Sequence, residues 1–224
     1  MLKKVKKLLL SLTILTGLGL SASAQTSPIK FGIKAGAAFS NLSFSSSGYS
    51  ETGDISTSFY IGGTVDIPVS EMFSVQPGLL YIGKGTKQSG DLGDIGDGFS
   101  GKGEVKINPF YLEVPVNIVA NFQAGSGKFF IGAGPYYAIG LGGKIKVKGT
   151  VGSSTAEVKE DIKYGDGEAF KRGDFGLNLL TGYQLSNGFN IHAGYGLGLS
   201  NVLNADGDGK AKNRVISVGL GYSF

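Results

Sequence analysis

The sequence contains no cysteine, and after its first two dozen residues it has no apolar run long enough for a membrane-spanning helix. A chain without cysteine has no disulfides, and an exported chain of about 200 residues does not need them to hold a core. A helical span needs about 20 apolar residues, so the sequence excludes such a span beyond the N-terminal segment. Glycine is abundant, with 39 residues in 224, but it shows no Gly-X-Y period, which excludes collagen.

The N-terminal segment has the features of a secretory signal peptide. Four lysines lie within Met1–Lys7, and an apolar stretch of about thirteen residues follows at Leu8–Leu20. Small residues at Ala22–Ala24 then provide a cleavage site before Gln25. A transmembrane anchor is the alternative, but the apolar stretch is shorter than a span requires.

Removal of this leader makes the chain neutral. The full sequence has 21 basic and 17 acidic residues, and four of the basic residues belong to the leader, so 17 of each remain. A neutral chain lacks the basic balance of nucleic-acid binding proteins, and we expect no nucleic-acid partner. The sequence therefore predicts a signal peptide over residues 1–24 and a single domain over residues 25–224.

Eight stretches alternate apolar residues with small or polar ones, which is typical of β-strands. Their apolar faces lie at residues 31–39, 59–67, 73–81, 110–122, 129–141, 175–185, 189–199 and 216–224. The connections alternate between short turns and four long segments, at about 40–57, 86–106, 142–172 and 201–213. This layout predicts an all-β fold, a single eight-stranded antiparallel transmembrane β-barrel. The turns would be periplasmic, as would both termini, and the four longer loops extracellular.

The face opposite the apolar one is rich in glycine, for example at Gly194, Gly196 and Gly198. A soluble lipocalin-like barrel would carry many water-facing polar residues there, whereas a glycine-lined face suits the inside of a narrow barrel. Aromatic residues such as Phe110 and Phe122 stand near both ends of the apolar faces, as in the girdles of outer-membrane barrels. We therefore predict that the apolar face contacts outer-membrane lipid.

Three prolines fall within the predicted strands, namely Pro77, Pro115 and Pro135. Each lacks the donor that a ladder hydrogen bond needs, and a closed barrel has no edge strand to place them on. We expect them to mark bulges, which leaves the local register open.

Four segments carry a resemblance to a known family: KFGIKAGAAFSNL, FSVQPGLLYIGKG, YLEVPVNI and VGLGYSF. Together they resemble the PorT-like "outer membrane protein beta-barrel domain" group of small bacterial porin-family proteins. The resemblance implies insertion by the barrel assembly machinery, which recognises a last strand that ends in an aromatic residue. Tyr222 and Phe224 would then form a C-terminal assembly signal. The group has no defining catalytic motif, and a fold alone does not specify a function.

Charged and polar residues on the lumen face form a candidate network. They are Lys34, Asp66, Glu113, Asp174 and His192, with Lys84 as a further candidate. If Phe39 pairs with Phe59, Lys34 and Asp66 become diagonal neighbours. We favour an ion-pair network that plugs the barrel and satisfies its buried charges, with an ion pathway as the alternative. His192 would fill space, although a catalytic base or a proton-linked gate is another interpretation.

Two acidic, glycine-rich segments raise the question of calcium. One contains Asp91, Asp94 and Asp97, and the other contains Asn204, Asp206 and Asp208. The second resembles the start of an EF-hand loop, but its twelfth position is Val215 instead of the bidentate glutamate. We expect solvated flexible loops and no metal site.

The segment after residue 142 has an alternation of its own at Ile145, Val147 and Val151, which predicts a hairpin that extends the barrel above the membrane. Between them lie Lys144, Lys146 and Lys148. These lysines form the water-facing side of the hairpin or contact anionic surface sugars or a protein partner.

These observations predict a small integral outer-membrane barrel with a structural or interaction role, whose loops carry any recognition. We expect no enzyme activity and no cofactor. A narrow passive channel for small solutes is the alternative, and a membrane-embedded enzyme is a less favoured one. The expected partners are outer-membrane lipid, the assembly machinery, and a surface glycan or protein bound through the loops.

Overall fold

A computed structural model describes residues 28–46, 49–94, 100–151, 154–165, 167–204 and 209–224. The proposed signal peptide lies outside these residues. The strands are β1 (Lys30–Ser46), β2 (Tyr49–Thr52), β3 (Asp54–Pro68), β4 (Phe73–Gly83), β5 (Thr86–Asp94), β6 (Ser100–Ala124), β7 (Gly127–Val151), β8 (Ser154–Asp161), β9 (Gly173–Gln184), β10 (Phe189–Gly198) and β11 (Lys210–Ser223). Within the described ranges no helix is long and apolar enough to cross a membrane.

Eight of the strands close into a ring. Their order is β1, β11, β10, β9, β7, β6, β4 and β3, and β3 pairs back onto β1. Every neighbouring pair is antiparallel. The remaining strands extend one end of the ring, where β2 pairs with β1, β8 with β7, and β5 with β6 and β3. The predicted all-β barrel with a ring of eight strands is confirmed.

Short connections collect at one end of the ring, which we call the short-turn end. They span residues 69–72, 125–126 and 185–188. In the last of them Gly188 has a φ of +90°, the conformation that the Asn-Gly dipeptide predicts for a tight turn. β1 begins and β11 ends at this end, where the Phe224 backbone nitrogen donates to the Phe31 carbonyl at 2.8 Å. The opposite end, with the longer connections, is the long-loop end.

Apolar side chains cover the outside of the ring, as the alternation predicts. Phe31, Ile61, Ile118 and Leu179 are each more than half exposed, although they are large and apolar. Aromatic rings gather at the rim nearer the long-loop end, where the Phe59, Tyr81 and Phe110 centroids lie 5.0–6.0 Å apart. This is the apolar belt that a barrel presents to lipid.

The strands run further towards the long-loop end than the sequence predicts. β6 and β7 have 25 residues each, and β1 has 17. Much of the two segments expected as long loops at about 40–57 and 86–106 is therefore paired strand, and so is the part of 142–172 where the sequence predicts a hairpin. Apolar alternation marks the strand faces that contact lipid, whereas strands that face water can pair without such alternation. The length of the water-facing strand segments was therefore underestimated.

The prolines interrupt the strand ladders without shifting them. β4 keeps one register against β6 on both sides of Pro77 and opposite Pro115, and β7 keeps one register against β9 across Pro135. The register of β6 against β7 changes elsewhere, between Phe110 and Tyr111. The bulges expected at the prolines are therefore wrong, because each proline removes one donor but leaves the alternation intact.

Glycines on the lumen face make room for large side chains of neighbouring strands. Gly36 of β1 lies opposite Gly219 of β11, and the Tyr60 ring from β3 enters the space between them. A Cβ atom on Gly36 would stand 2.8 Å from the Tyr60 hydroxyl, and one on Gly219 would collide with it. Gly63, in contrast, belongs to the outer face and has only the Gly32 carbonyl within 4 Å, at 3.6 Å.

Replacing Gly219 with valine should lower the folded fraction of the barrel, because the added side chain collides with Tyr60 and with the β1 backbone. Refolding into detergent micelles, followed by gel electrophoresis with and without heating, measures the folded fraction. Gly63→Val is the matched control, and we expect it to fold like the wild type. Equal folding of both variants would contradict this account of the lumen glycines.

Replacing Phe224 with aspartate should reduce the amount of barrel inserted into the outer membrane. The Phe224 ring packs edge-on against Tyr222, with centroids 5.1 Å apart, at the seam where β11 closes on β1. Heat-modifiable protein in isolated outer membranes is the measurement, with Phe224→Tyr as the control that retains an aromatic end. Normal insertion of the aspartate variant would show that this residue is not part of an assembly signal.

Candidate functional site

A buried lysine joins two carboxylates in the half of the lumen nearer the long-loop end. Lys84, directly after β4, places Nζ 2.8 Å from Oε2 of Glu113 and 2.8 Å from Oδ2 of Asp174. Its ammonium group also lies 4.1 Å from the centroid of the Tyr136 ring. The other carboxylate oxygen of Glu113 accepts a hydrogen bond of 3.2 Å from the Asn178 amide. We call Lys84, Glu113 and Asp174 the ion cluster.

Further side chains complete the hydrogen bonding of Asp174. The Tyr136 hydroxyl and the Asn213 amide donate to its Oδ2 at 3.2 Å and 3.0 Å, and the Ser200 hydroxyl donates to Oδ1 at 3.0 Å. Asp174 is fully buried, and an ionised carboxylate away from water is tolerated only when it is paired and hydrogen-bonded. These contacts tie strands on different sides of the ring to one charged group.

Aromatic residues cover the ion cluster on its long-loop side. The Tyr164 ring packs edge-on against Tyr111, at 6.0 Å between centroids, and against Phe170 at 6.3 Å. Burial raises the pKa of the Tyr164 hydroxyl above its usual value. The Asn204 amide donates to the carbonyls of Gly165 and Glu168 at 2.8 Å and 3.0 Å. The described residues of the segment 162–172 therefore form a cover over the ion cluster.

Two small cavities with polar and apolar lining residues occupy the other half of the lumen. One, of about 60 Å³, lies between the ion cluster and Tyr60, and Lys34 and Asn117 contribute to its wall. The second, of about 50 Å³, lies at the short-turn end and is lined in part by Asp66 and His192. Cavities of this size that have polar lining residues hold a few water molecules.

His192 uses both ring nitrogens in hydrogen bonds within the lumen. Nδ1 lies 2.9 Å from Oδ1 of Asn190, and this oxygen can only accept, so Nδ1 carries the proton. Nε2 is then the acceptor for the Tyr60 hydroxyl at 2.6 Å. The arrangement fits a neutral imidazole that holds Tyr60 in place.

Two of the five residues in the sequence-predicted network meet in the ion cluster. Glu113 and Asp174 contact the same lysine, whereas Lys34, Asp66 and His192 line the cavities instead. The expected diagonal pairing of Lys34 with Asp66 is wrong, although both residues line the cavity at the short-turn end. β1 and β3 are shifted by two residues from the assumed register, so that Lys34 faces Gly62 and Asp66 faces Lys30. A shift of two leaves every side chain on its original face, and the alternation cannot detect it.

The sequence analysis did not assign roles to several residues that complete the lumen. Tyr60, Tyr111 and Tyr136 occupy lumen positions within predicted strands, and their place between apolar neighbours is a signal that could have found them. The alternation places Ser200 on the lumen face at the end of the predicted strand, whereas Asn213 lies beyond the predicted strand ends and could not be placed.

The acidic segments give no support to a metal site. Asp91 and Asp94 belong to β5, whereas Asp97, Asp206 and Asp208 lie outside the described residues. In the described part of the chain no group of three potential metal ligands comes together.

The predicted hairpin beyond the ring is confirmed, because β7 continues to Val151 and β8 pairs back along it. Its charged face carries ion pairs: Lys144 with Asp161 at 3.1 Å, and Glu157 with Lys148 at 3.2 Å and Lys159 at 2.7 Å. Hydrogen bonds from Lys159 and Lys148 lower the pKa of Glu157. The sheet of β5, β6, β7 and β8 is therefore a hydrated, charged surface at the long-loop end.

Three solved structures align with this chain at low sequence identity and low TM-score. Ail, the attachment invasion locus protein of Yersinia pestis, is 15% identical over 88% of this chain and all of its own, with a TM-score of 0.41. Neisserial surface protein A gives 15% identity, the same coverages and a TM-score of 0.44. The outer membrane protease OmpT of Escherichia coli is 8% identical over 91% of this chain and 99% of its own, with a TM-score of 0.32.

No curated protein matches the sequence. A family model does match, and it covers residues 23–204, more than four-fifths of the chain. The match agrees with the closed ring of eight strands and with the apolar belt around it. The chain belongs to the outer membrane protein beta-barrel domain family, and it is an integral protein of the outer membrane.

Proposed function

We propose that this protein is a closed barrel with a structural or interaction role at the membrane surface. The ion cluster is the observation that carries the proposal. Lys84, Glu113 and Asp174 are each at most 3% exposed, and they meet across the lumen. Because removing a charge from water is costly unless its partners stay in place, the cluster favours a fixed plug over a conducting path.

The proposal extends to how the barrel sits in the membrane. Outer-membrane barrels have short periplasmic turns and longer external loops. We therefore place both termini in the periplasm and the long-loop end outside the cell, where the β5–β8 sheet could contact a surface glycan or protein. Membership of the PorT-like group, and insertion by the barrel assembly machinery through Tyr222 and Phe224, belong to the same proposal.

An enzymatic role is less favoured. A catalytic base must reach the proton that it removes, and both ring nitrogens of His192 are engaged by Tyr60 and Asn190. The chain has no cysteine to act as a nucleophile. These contacts support a space-filling role for His192.

A narrow passive channel is the second candidate. It is favoured by the two cavities, which extend from the short-turn end to the vicinity of Glu113. In a channel the ion cluster would have to move aside for a solute to pass.

Replacing Lys84 with methionine should lower the free energy of unfolding by about 3–5 kcal/mol, because two buried carboxylates lose their common partner. Denaturant titration of barrels folded in lipid vesicles measures this change. Lys34→Met is the matched control: it also removes a lumen lysine, but in the described part of the chain Lys34 has no carboxylate within 4.0 Å. We expect this control to cost less than Lys84→Met, because it leaves no contacting carboxylate of the described residues without its partner. Similar losses in both variants would contradict the structural role of the ion cluster.

Wild-type barrels in planar lipid bilayers should show no stable stepwise conductance at neutral pH. The triple variant Lys84→Ala/Glu113→Ala/Asp174→Ala should show a larger ion current than the wild type, because the side chains that fill this layer of the lumen are removed. Folded protein is confirmed by heat modifiability before each recording. Stable stepwise conductance of the wild type would contradict the closed barrel. A triple variant without conductance would show that the ion cluster does not close the barrel.

A further inference from the structure

Four lysines form a row across the sheet that extends the barrel. Lys87 of β5 lies opposite Lys106 of β6, Lys106 lies opposite Lys146 of β7, and Lys146 lies opposite Lys159 of β8. Neighbouring strands are about 4.8 Å apart, so the row is about 14 Å long. We call these four residues the lysine row.

Like charges directly opposite one another destabilise a sheet. At the ends of the lysine row carboxylates offset this repulsion: Glu104 lies 3.8 Å from Lys87, and Glu157 lies 2.7 Å from Lys159. The centre differs, because no carboxylate oxygen of the described residues lies within 4.0 Å of Lys106 or Lys146. The row therefore has an uncompensated positive centre that an external anion would stabilise.

The position of the lysine row relative to the apolar belt indicates which anion that is. Lys106 shares its side of β6 with Phe110, because successive side chains alternate between the two faces. Phe110 belongs to the aromatic rim of the belt, with its ring stacked on Tyr81 at 5.0 Å. Lys106 is four residues beyond Phe110, about 13 Å along the strand, or about 10 Å along the membrane normal at the usual tilt. That is the level of lipid headgroups.

We infer that the lysine row binds the phosphate groups of glycolipid headgroups in the leaflet around the long-loop end of the barrel. Each lysine ammonium is a compact positive charge that suits a phosphate oxygen. A row of about 14 Å fits a sugar headgroup that carries several phosphates better than one isolated phosphate. The inference goes beyond the closed barrel, since it concerns the outer face and holds whether or not the lumen conducts.

Titration of the folded barrel with fluorescent lipopolysaccharide tests the inference. A truncated lipopolysaccharide that retains only its phosphorylated inner sugars is the probe, and the barrel is held in a zwitterionic detergent. The variant Lys106→Gln/Lys146→Gln should bind this probe roughly 10- to 30-fold more weakly at low salt, because a lysine near an anionic lipid surface contributes about 1 kcal/mol. Lys106→Arg/Lys146→Arg retains both charges and should bind like the wild type.

The matched control is Lys30→Gln/Lys128→Gln, which removes the same charge from the short-turn end and should leave binding unchanged. Dephosphorylated lipopolysaccharide should bind weakly to all variants. Unchanged affinity of the glutamine variant at positions 106 and 146 would overturn the inference, as would equal binding of the dephosphorylated probe. A soluble sulfated glycan that binds through these lysines while lipopolysaccharide does not would also overturn it. Heat modifiability confirms that each variant is folded. A bilayer current equal to that of the wild type shows that a change in lipopolysaccharide binding does not come from a change in the lumen.

Discussion

The narrow bore of an eight-stranded barrel is the constraint on which the rest of this structure depends. Eight strands at the usual tilt leave an interior just wide enough for side chains to fill. Each large lumen residue therefore needs a small one beside it, as Tyr60 needs Gly36 and Gly219, and Tyr136 needs Gly176. The unusual glycine content is thus a consequence of strand number. It reflects close contact between a ring on one strand and the backbone of another.

The narrow lumen also determines how buried charged side chains are stabilised. Lys84 and Asp174 are almost completely buried, and neither could remain ionised there without a partner. The sequence supplies one lysine for two carboxylates and adds hydroxyl and amide donors, so that Asp174 accepts bonds from residues on three further parts of the ring. A hydrogen-bonded network of this kind fixes strands in position more specifically than apolar packing does, since a displaced strand leaves a buried charge unpaired.

The sequence was sufficient for the strands that lipid contacts, because lipid imposes a period of two on one face. The sequence was insufficient for strand segments that do not contact lipid. The outer part of β6 was expected to be a loop, whereas the alternation at Ile145, Val147 and Val151 predicted the hairpin that β7 and β8 form. The register of β1 on β3 differs by two residues from the one that aromatic matching of Phe39 and Phe59 suggests, and both registers leave the same side chains on the lumen face. Asn213 donates to Asp174 from the part of β11 that lies before the predicted start of the strand, a part that the alternation did not predict.

The division of chemistry along the barrel axis follows from these constraints. Within the belt, contact with lipid requires apolar residues on the outer face, and packing determines the residues of the lumen. Few positions there are left to bind a partner. Beyond Phe110 neither constraint applies, and the register there brings lysines of four strands into one line. Alternating charges would stabilise that sheet better than like ones. Carboxylates are present nearby, but they pair with the ends of the line and leave Lys106 and Lys146 at its centre. These two lysines therefore make the sheet less stable than alternating charges would. They lie at the depth where a membrane provides anionic groups, so this surface is suited to contact the membrane and has no role in the lumen.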